Sequence, residues 1–371
     1  MRKRNAKQES QQPEEKTNQK SFTKRGEPAE IKTCEAGQSK SGRGWLRRIK
    51  RLFLTLFVVY ISVPFLIRLF PALLANVVYL SALKAPFFVD LQRPEDLQLN
   101  HTANFYLSPE EGVRIGVWHT VPDSRWQEAQ GEGLSWYESA LRDQAPIIIY
   151  LHGNGGTRAI GHRVELIKVL SAAGFHVLAL DYRGFADSTG DPSEEGMTAD
   201  GVYLYRWVKE RSSGSPVCFW GHSLGTGVAT NAACRLQDQG SPPDAVILEA
   251  PYTNIREEGA HHPFAQIYRI FPAFEYFFLD TMALSNIFFP NDENLKSMSS
   301  PLMILHAEDD HVVPFEMSRK LYEIALKSQH SQENVKLVSF DGSLGYRHNN
   351  IYKDPKLPAL LWEFLQPVAE F

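Results

Sequence analysis

Apolar side chains are distributed along the chain in three regimes. Residues 1–44 carry only scattered ones, such as Phe22 and Ile31, among Lys, Glu, Gln and Ser. So little apolar surface cannot offset the entropy of ordering, which predicts a disordered tail. A charge-free run of sixteen residues follows from Leu52 to Ile67, and beyond Arg68 the stretch Leu69–Leu83 is again apolar. A helix beginning near Leu52, with Arg68 snorkelling, predicts a transmembrane span. The second stretch is set apart by Arg68 and Pro71 and predicts an interfacial segment, so that residues 45–83 form a membrane anchor.

From about Phe105 the pattern changes. Apolar, β-branched runs at Pro146–Leu151, His176–Tyr182, Pro216–Trp220, Ala245–Glu249, Leu302–His306 and Val335–Phe340 predict buried parallel strands. Helical periodicity lies between them, at Gly161–Ala173, Met197–Arg211, Leu224–Gln237 and Phe315–Lys327. Strands alternating with helices predict a mostly parallel, doubly wound α/β sheet over residues 84–371, with functional loops at the strands' carboxyl ends. The segment 252–300 interrupts the alternation. It holds Phe264, Tyr268, Phe271, Phe274, Tyr276, Phe277, Phe278, Phe288 and Phe289, too aromatic for a solvated loop. Two expectations fit it: a cap that binds an acyl chain or touches the bilayer, and a small satellite core.

Charge sharpens the division. Residues 1–51 hold 15 Lys/Arg against 6 Asp/Glu, a balance of +9, leaving 24 against 37, or −13, for the remainder. An acidic body repels phosphates and argues against nucleic acid as its partner. About fifty residues precede the apolar run, which favours an uncleaved signal anchor over a cleaved signal peptide. Arg47, Arg48, Lys50 and Arg51 are expected to stay cytosolic, sending the body to the other side of a single-pass span. Asn100-His101-Thr102 is a glycosylation sequon on that far side. Cys34, Cys218 and Cys234 are too few for a disulfide framework and lack metal-ligand spacing.

The chemistry concentrates at Gly221-His222-Ser223-Leu224-Gly225, between a predicted strand and a predicted helix. That context is a nucleophile elbow: Gly221 and Gly225 let the chain turn sharply and lift the Ser223 hydroxyl out of the sheet. A serine needs a base, and His348 lies after the last predicted strand, where this fold places one. His261 and His262 fall in the inserted segment, and His306 precedes the acid. Glu308, Asp309 and Asp310 end the strand at Leu302–His306; Asp310, at the turn into the next helix, is preferred over Asp309 as the residue that orients the imidazole. His152-Gly153-Asn154-Gly155-Gly156 closes another strand, so the backbone N–H groups of Asn154 and Leu224 are the expected oxyanion donors. A phosphate loop is excluded, since no Gly-Lys-Ser/Thr follows. Such a site requires no metal and no organic cofactor.

These runs, together with Asp181-Tyr182-Arg183-Gly184, Thr226-Gly227-Val228-Ala229-Thr230-Asn231 and Gly345-Tyr346-Arg347-His348, resemble the membrane-anchored α/β-hydrolase-domain lysophosphatidylserine and monoacylglycerol lipases. The similarity runs from about Trp45 to the C-terminus. It departs at Gly155, where the family usually shows Ala, and at Phe185-Ala186, where an aromatic followed by Gly is usual. The resemblance implies an α/β-hydrolase fold, an endoplasmic-reticulum anchor with a lumenal catalytic domain, and hydrolysis of lysophospholipids such as lysophosphatidylserine or of monoacylglycerols. By motif match its triad falls on Ser223, Asp310 and His348. Lipid and bilayer are then the partners, and no obligate protein partner is implied. An acyl-protein thioesterase would use the same triad, and a non-catalytic binding member of the fold usually loses one of its residues.

Overall fold

The computed structural model describes residues 41–263, 265–328 and 332–369; the tail before Ser41, Cys34 and Phe264 lie outside the described residues. The chain divides into two units, with the boundary between Leu56 and Phe57 inside the first helix. That helix, α1 (Ser41–Leu69), starts a few residues before the expected end of the tail. Over Gly44–Leu69 it is long and apolar enough to cross a membrane, and only 6% of its most apolar window is buried. Pro71, unable to continue the i→i−4 ladder, separates it from α2 (Ala72–Tyr79), which ends at Leu80 in the left-handed region.

Among the described residues the strands are β1 (Thr102–Glu110), β2 (Val113–Thr120), β3 (Ile147–Leu151), β4 (His176–Asp181), β5 (Val217–His222), β6 (Ala245–Glu249), β7 (Leu302–Ala307) and β8 (Val335–Phe340). They form one sheet in the order β1-β2-β4-β3-β5-β6-β7-β8. β1, β2 and β4 pair antiparallel, and every pair from β4 to β8 is parallel. The helices after α2 are α3 (Leu134–Ala140), α4 (Gly161–Ala172), α5 (Glu194–Lys209), α6 (Leu224–Asp238), α7 (Ile255–His261), α8 (Asp280–Leu284), α9 (Asn291–Asn294), α10 (Phe315–Ser328) and α11 (Leu357–Ala369). α7, a π-helical turn at Glu275–Leu279, α8 and α9 make up the segment inserted between β6 and β7.

Successive strand residues feed opposite cores, which is why these strands read as continuous apolar runs. Ile147, Ile149 and Leu151 point into one core with Leu204, Val228 and Leu321 from α5, α6 and α10. Ile148 and Tyr150 point into the other with Val164 of α4 and Leu361 of α11. The β1–β2 hairpin was not among the predicted strands. β1 sits at the sheet edge with Phe105 buried and its other positions half-buried or exposed, so it presents no apolar run. α5 begins at Glu194 and not at Met197 because Ser193 caps it, accepting the Gly196 N–H at 3.1 Å.

One buried ion pair holds the turn after β3 to β4. Arg158 Nη1 lies 2.5 Å from Asp181 Oδ2 and 2.8 Å from Asp187 Oδ1, with the Arg158 and Asp181 side chains fully buried. Removing one partner would leave a charge buried without compensation. Arg158→Met should therefore cost about 3–5 kcal/mol in urea unfolding, and a loss below about 1 kcal/mol would contradict this reading.

Candidate active site

The turn from β5 into α6 places the serine. Ser223 adopts φ 51° and ψ −119°, a conformation that a non-glycine residue holds only under constraint. The constraint comes from both sides. The Ser223 N–H donates to the Glu249 carbonyl on β6 at 3.0 Å, and its own carbonyl accepts from Thr226 N at 2.9 Å and Thr226 Oγ1 at 2.7 Å. The turn is also too tight for side chains at its flanks: a Cβ on Gly221 would lie 2.5 Å from the Gly225 carbonyl oxygen, and one on Gly225 would run into the Leu151 carbonyl.

Three residues distant in the sequence converge on this turn. Ser223 Oγ lies 2.9 Å from His348 Nε2, and His348 Nδ1 lies 2.7 Å from Asp310 Oδ2. Asp310 is locked in place: its Oδ1 accepts the N–H groups of Val312 at 2.8 Å and Val313 at 3.0 Å. Its Oδ2 also lies 3.2 Å from His306 Nε2. Burial pushes the Asp310 carboxyl up, but hydrogen bonds from His306 and His348 and their charges outweigh it, holding it well below the usual range. Asp309 faces elsewhere, accepting the Arg347 N–H at 2.9 Å and so bracing the loop that carries His348. His306 is buried behind the acid against Ser318 Oγ and the Val313 carbonyl. His222 accepts no role at the serine; its Nε2 lies 3.0 Å from the His348 carbonyl.

The loop after β3 meets the serine from the other side. Asn154, Ser223 and Leu224 line the same cavity, and a Cβ on Gly153 would sit 3.2 Å from that of Ser223. Gly155 and Gly156 hold φ 62° and 66°, where glycine is favoured. His152 is buried beneath the loop, its Nδ1 2.6 Å from the Gly153 carbonyl. Its Nε2 stands 3.4 Å from Asp181 Oδ1, yet it is misaligned and makes no hydrogen bond, so His152 braces the loop and lies away from the serine. Asn100 is exposed in the turn before β1, away from this cavity.

Two residues were invisible in the sequence. Arg163, on α4 and fully buried, spreads its guanidinium over the backbone of the loop: Nη1 to the Thr157 carbonyl at 2.9 Å, Nη2 to those of Gly153 at 3.2 Å and Gly155 at 2.9 Å. Glu258, on α7, lines the cavity above Ser223, and its buried Oε2 has no hydrogen-bond partner. Burial pushes its carboxyl up to about 8, and the Asp310 charge adds to the shift. Helix periodicity marks α4 but cannot say which polar residue turns inward, and α7 lies in the inserted segment, where no helix was predicted. Among the described residues no group of three His, Cys, Asp or Glu side chains is placed to hold a metal ion.

The alpha/beta hydrolase fold family matches residues 146–266. The lysophosphatidylserine lipase ABHD12 of Danio rerio is 51% identical over 333 residues, 90% of this chain and 87% of that protein. That of Macaca fascicularis is 56% identical over 322 residues, 86% and 81% of the two. The chain belongs to the ABHD12 family. Protein ABHD12B of Homo sapiens is 52% identical over 298 residues, covering 80% of this chain and 82% of its own. Among solved structures, the Pyrococcus furiosus esterase Pf2001 superposes with a TM-score of 0.55 at 20% identity, covering 76% of this chain and 96% of that one. Est1E from Butyrivibrio proteoclasticus gives 0.51 at 16%, covering 72% and 99%. At these identities the two structures establish the α/β-hydrolase fold, which this ABHD12-family chain shares.

Two expectations follow from the geometry. Asp310→Asn should lower ester turnover by roughly 10⁴-fold. Asp309→Asn, which keeps an acceptor for the Arg347 N–H, should cost about tenfold at most; equal losses, measured as kcat/KM, would contradict the assignment. Glu258 gives a stability test. An unfolded glutamate ionises near 4.5, whereas the folded one holds its proton to about 8, so stability falls as pH rises through that window. Glu258→Gln removes the effect and should raise the melting temperature more at pH 8 than at pH 5; equal shifts at both would contradict it.

Proposed function

We propose that the chain is a membrane-anchored serine hydrolase that cleaves the acyl ester of lysophospholipids, lysophosphatidylserine among them, and of monoacylglycerols. The observation that carries this reading is the relay Asp310–His348–Ser223, at 2.7 and 2.9 Å, opening into a cavity with a mostly apolar lining. Kinship with the ABHD12 lipases over most of the chain supports the choice of a lysophospholipid over other esters.

In this reading Ser223 Oγ attacks the ester carbonyl carbon while its proton passes to His348 Nε2. The carbonyl electrons move onto oxygen, and the backbone N–H groups of Asn154 and Leu224 stabilise that oxyanion. Its collapse breaks the bond to the glycerol oxygen, which leaves with the proton from His348, and the acyl group remains on Ser223. Water then attacks the acyl carbon and gives a proton to His348; the bond to Oγ breaks, the proton returns to it, and the fatty acid departs. Asp310 stays ionised throughout, fixing the imidazole tautomer and stabilising the imidazolium. Its depressed pKa suits that task.

The same reading takes α1 as the anchor, with the basic cluster Arg47–Arg51 cytosolic and the hydrolase domain in the lumen of the endoplasmic reticulum. Exposed Asn100 would then carry a glycan.

Labelling by a fluorophosphonate probe and release of fatty acid from lysophosphatidylserine should both be present in the wild type and lost in Ser223→Ala, by a factor of roughly 10⁴ or more for the hydrolysis. Turnover that survived the substitution would overturn the proposal.

A further inference from the structure

The second half of α1 is packed against the segment inserted between β6 and β7. The Tyr60 ring stacks on Tyr268 at 4.8 Å and 5°, and its hydroxyl donates to the Ile267 carbonyl at 3.1 Å. Phe65 meets Phe277 edge-on at 4.8 Å. About two turns from Tyr60 along α1, the Arg68 guanidinium lies 4.1 Å over the Tyr276 ring and reaches Thr281 Oγ1 at 3.4 Å. The chain beyond α2 is tied just as closely to the oxyanion loop. Gly155, Gly156 and Thr157 donate their N–H groups to the carbonyls of Tyr79, Leu83 and Ala85 at 2.9, 2.7 and 2.9 Å.

Between these contacts lies the cavity of ≈ 300 Å³ that reaches Ser223. One wall is Val63 and Ile67 of α1 with Leu74, Val77 and Val78 of α2. The facing wall is cap: Ile255, Tyr268, Phe274, Phe278 and Met282. Asn154, Ser223 and Leu224 close one end. The volume is at the small end of ligand pockets, suited to one acyl chain and not two.

Depth along the helix adds a second, independent constraint. Tyr60 falls at the middle of the charge-free run Leu52–Ile67. At about 1.5 Å per residue that run spans only about 24 Å, less than the roughly 30 Å of a hydrocarbon core. A cap that meets the run at its middle therefore lies at the depth of acyl chains. The exposure of its side chains agrees: Ile267 is 63% and Ile270 86% exposed, and Tyr276, Leu284 and Phe288 are exposed as well. So many exposed apolar side chains in one segment suit a bilayer better than water.

We propose that the membrane helix is itself a wall of the acyl-binding site, and that a single-chain lipid passes from the bilayer to Ser223 between α1–α2 and the cap. Such a path spares the acyl chain any passage through water, which would cost hydrophobic free energy for every methylene exposed. The anchor then works as part of the binding site and not only as a tether. This inference rests on the serine-hydrolase reading above, and its test separates the two.

The full-length protein is reconstituted in phosphatidylcholine vesicles and compared on oleoylglycerol in the bilayer and p-nitrophenyl butyrate in water. Val77→Trp, which fills the cavity from the α2 wall, should lower the long-to-short ratio of kcat/KM at least tenfold. Ile270→Asp, on the outer face and away from the cavity, should lower the same ratio at least threefold by opposing insertion of the cap. Val77→Ala only removes atoms and so guards against misfolding of the tryptophan variant; it should shift the preferred acyl length by two or more carbons. Ratios within twofold of wild type for both Val77→Trp and Ile270→Asp, with an unchanged length profile for Val77→Ala, overturn the inference. Butyrate turnover that persists in Ser223→Ala overturns the hydrolase reading instead.

Discussion

The site depends on one strained turn. Ser223 holds φ 51° because β5 must stop and α6 must begin within a single residue, with the Glu249 carbonyl taking its N–H. A relaxed serine there would carry its hydroxyl elsewhere, and neither His348 nor the loop after β3 would have anything to address. Every close contact around the turn serves that conformation. Gly221 and Gly225 leave room for the crossing, the Leu151 carbonyl fills the space beside Gly225, and the buried sheet supplies the packing that keeps the strain in place.

Around that turn the polar groups form layers of decreasing exposure. His348 touches the serine, Asp310 touches His348, and His306, Val312 and Val313 fix Asp310. On the opposite side Arg163 performs the same service for the loop at Gly153–Thr157, gathering three carbonyls on one guanidinium. Fixed donors and acceptors of this kind have little reorganisation left to do when charge develops, which is where electrostatic stabilisation gains most. The chain at Tyr79–Ala85 completes the support of that loop, so α2 and the site are one construction.

Much of this was legible before any coordinates. The strands from β3 to β7 bury both faces and therefore read as apolar runs, and the elbow string between β5 and α6 announces a local geometry as well as a residue. Chain order then singles out His348. The edge hairpin β1–β2 was not legible, because Asn104, Ser108, Arg114 and His119 break its apolar pattern and tertiary pairing decides it. Asp309 and Asp310 differ in sequence by one position and in space by what they face, a distinction only the structure draws. Glu258 and Arg163 belong to the same class: polar residues on helices whose inward turn depends on a neighbour far along the chain.

The central claim is that an acyl group passes through Ser223. Rapid acid quench of the wild type during turnover of an oleoyl lysophospholipid, followed by peptide mass analysis, measures it directly. An oleoyl adduct on the Ser223 peptide that appears and decays with turnover is the expected result. Fatty acid released with no adduct there, or with the acyl group on another side chain, would contradict the account.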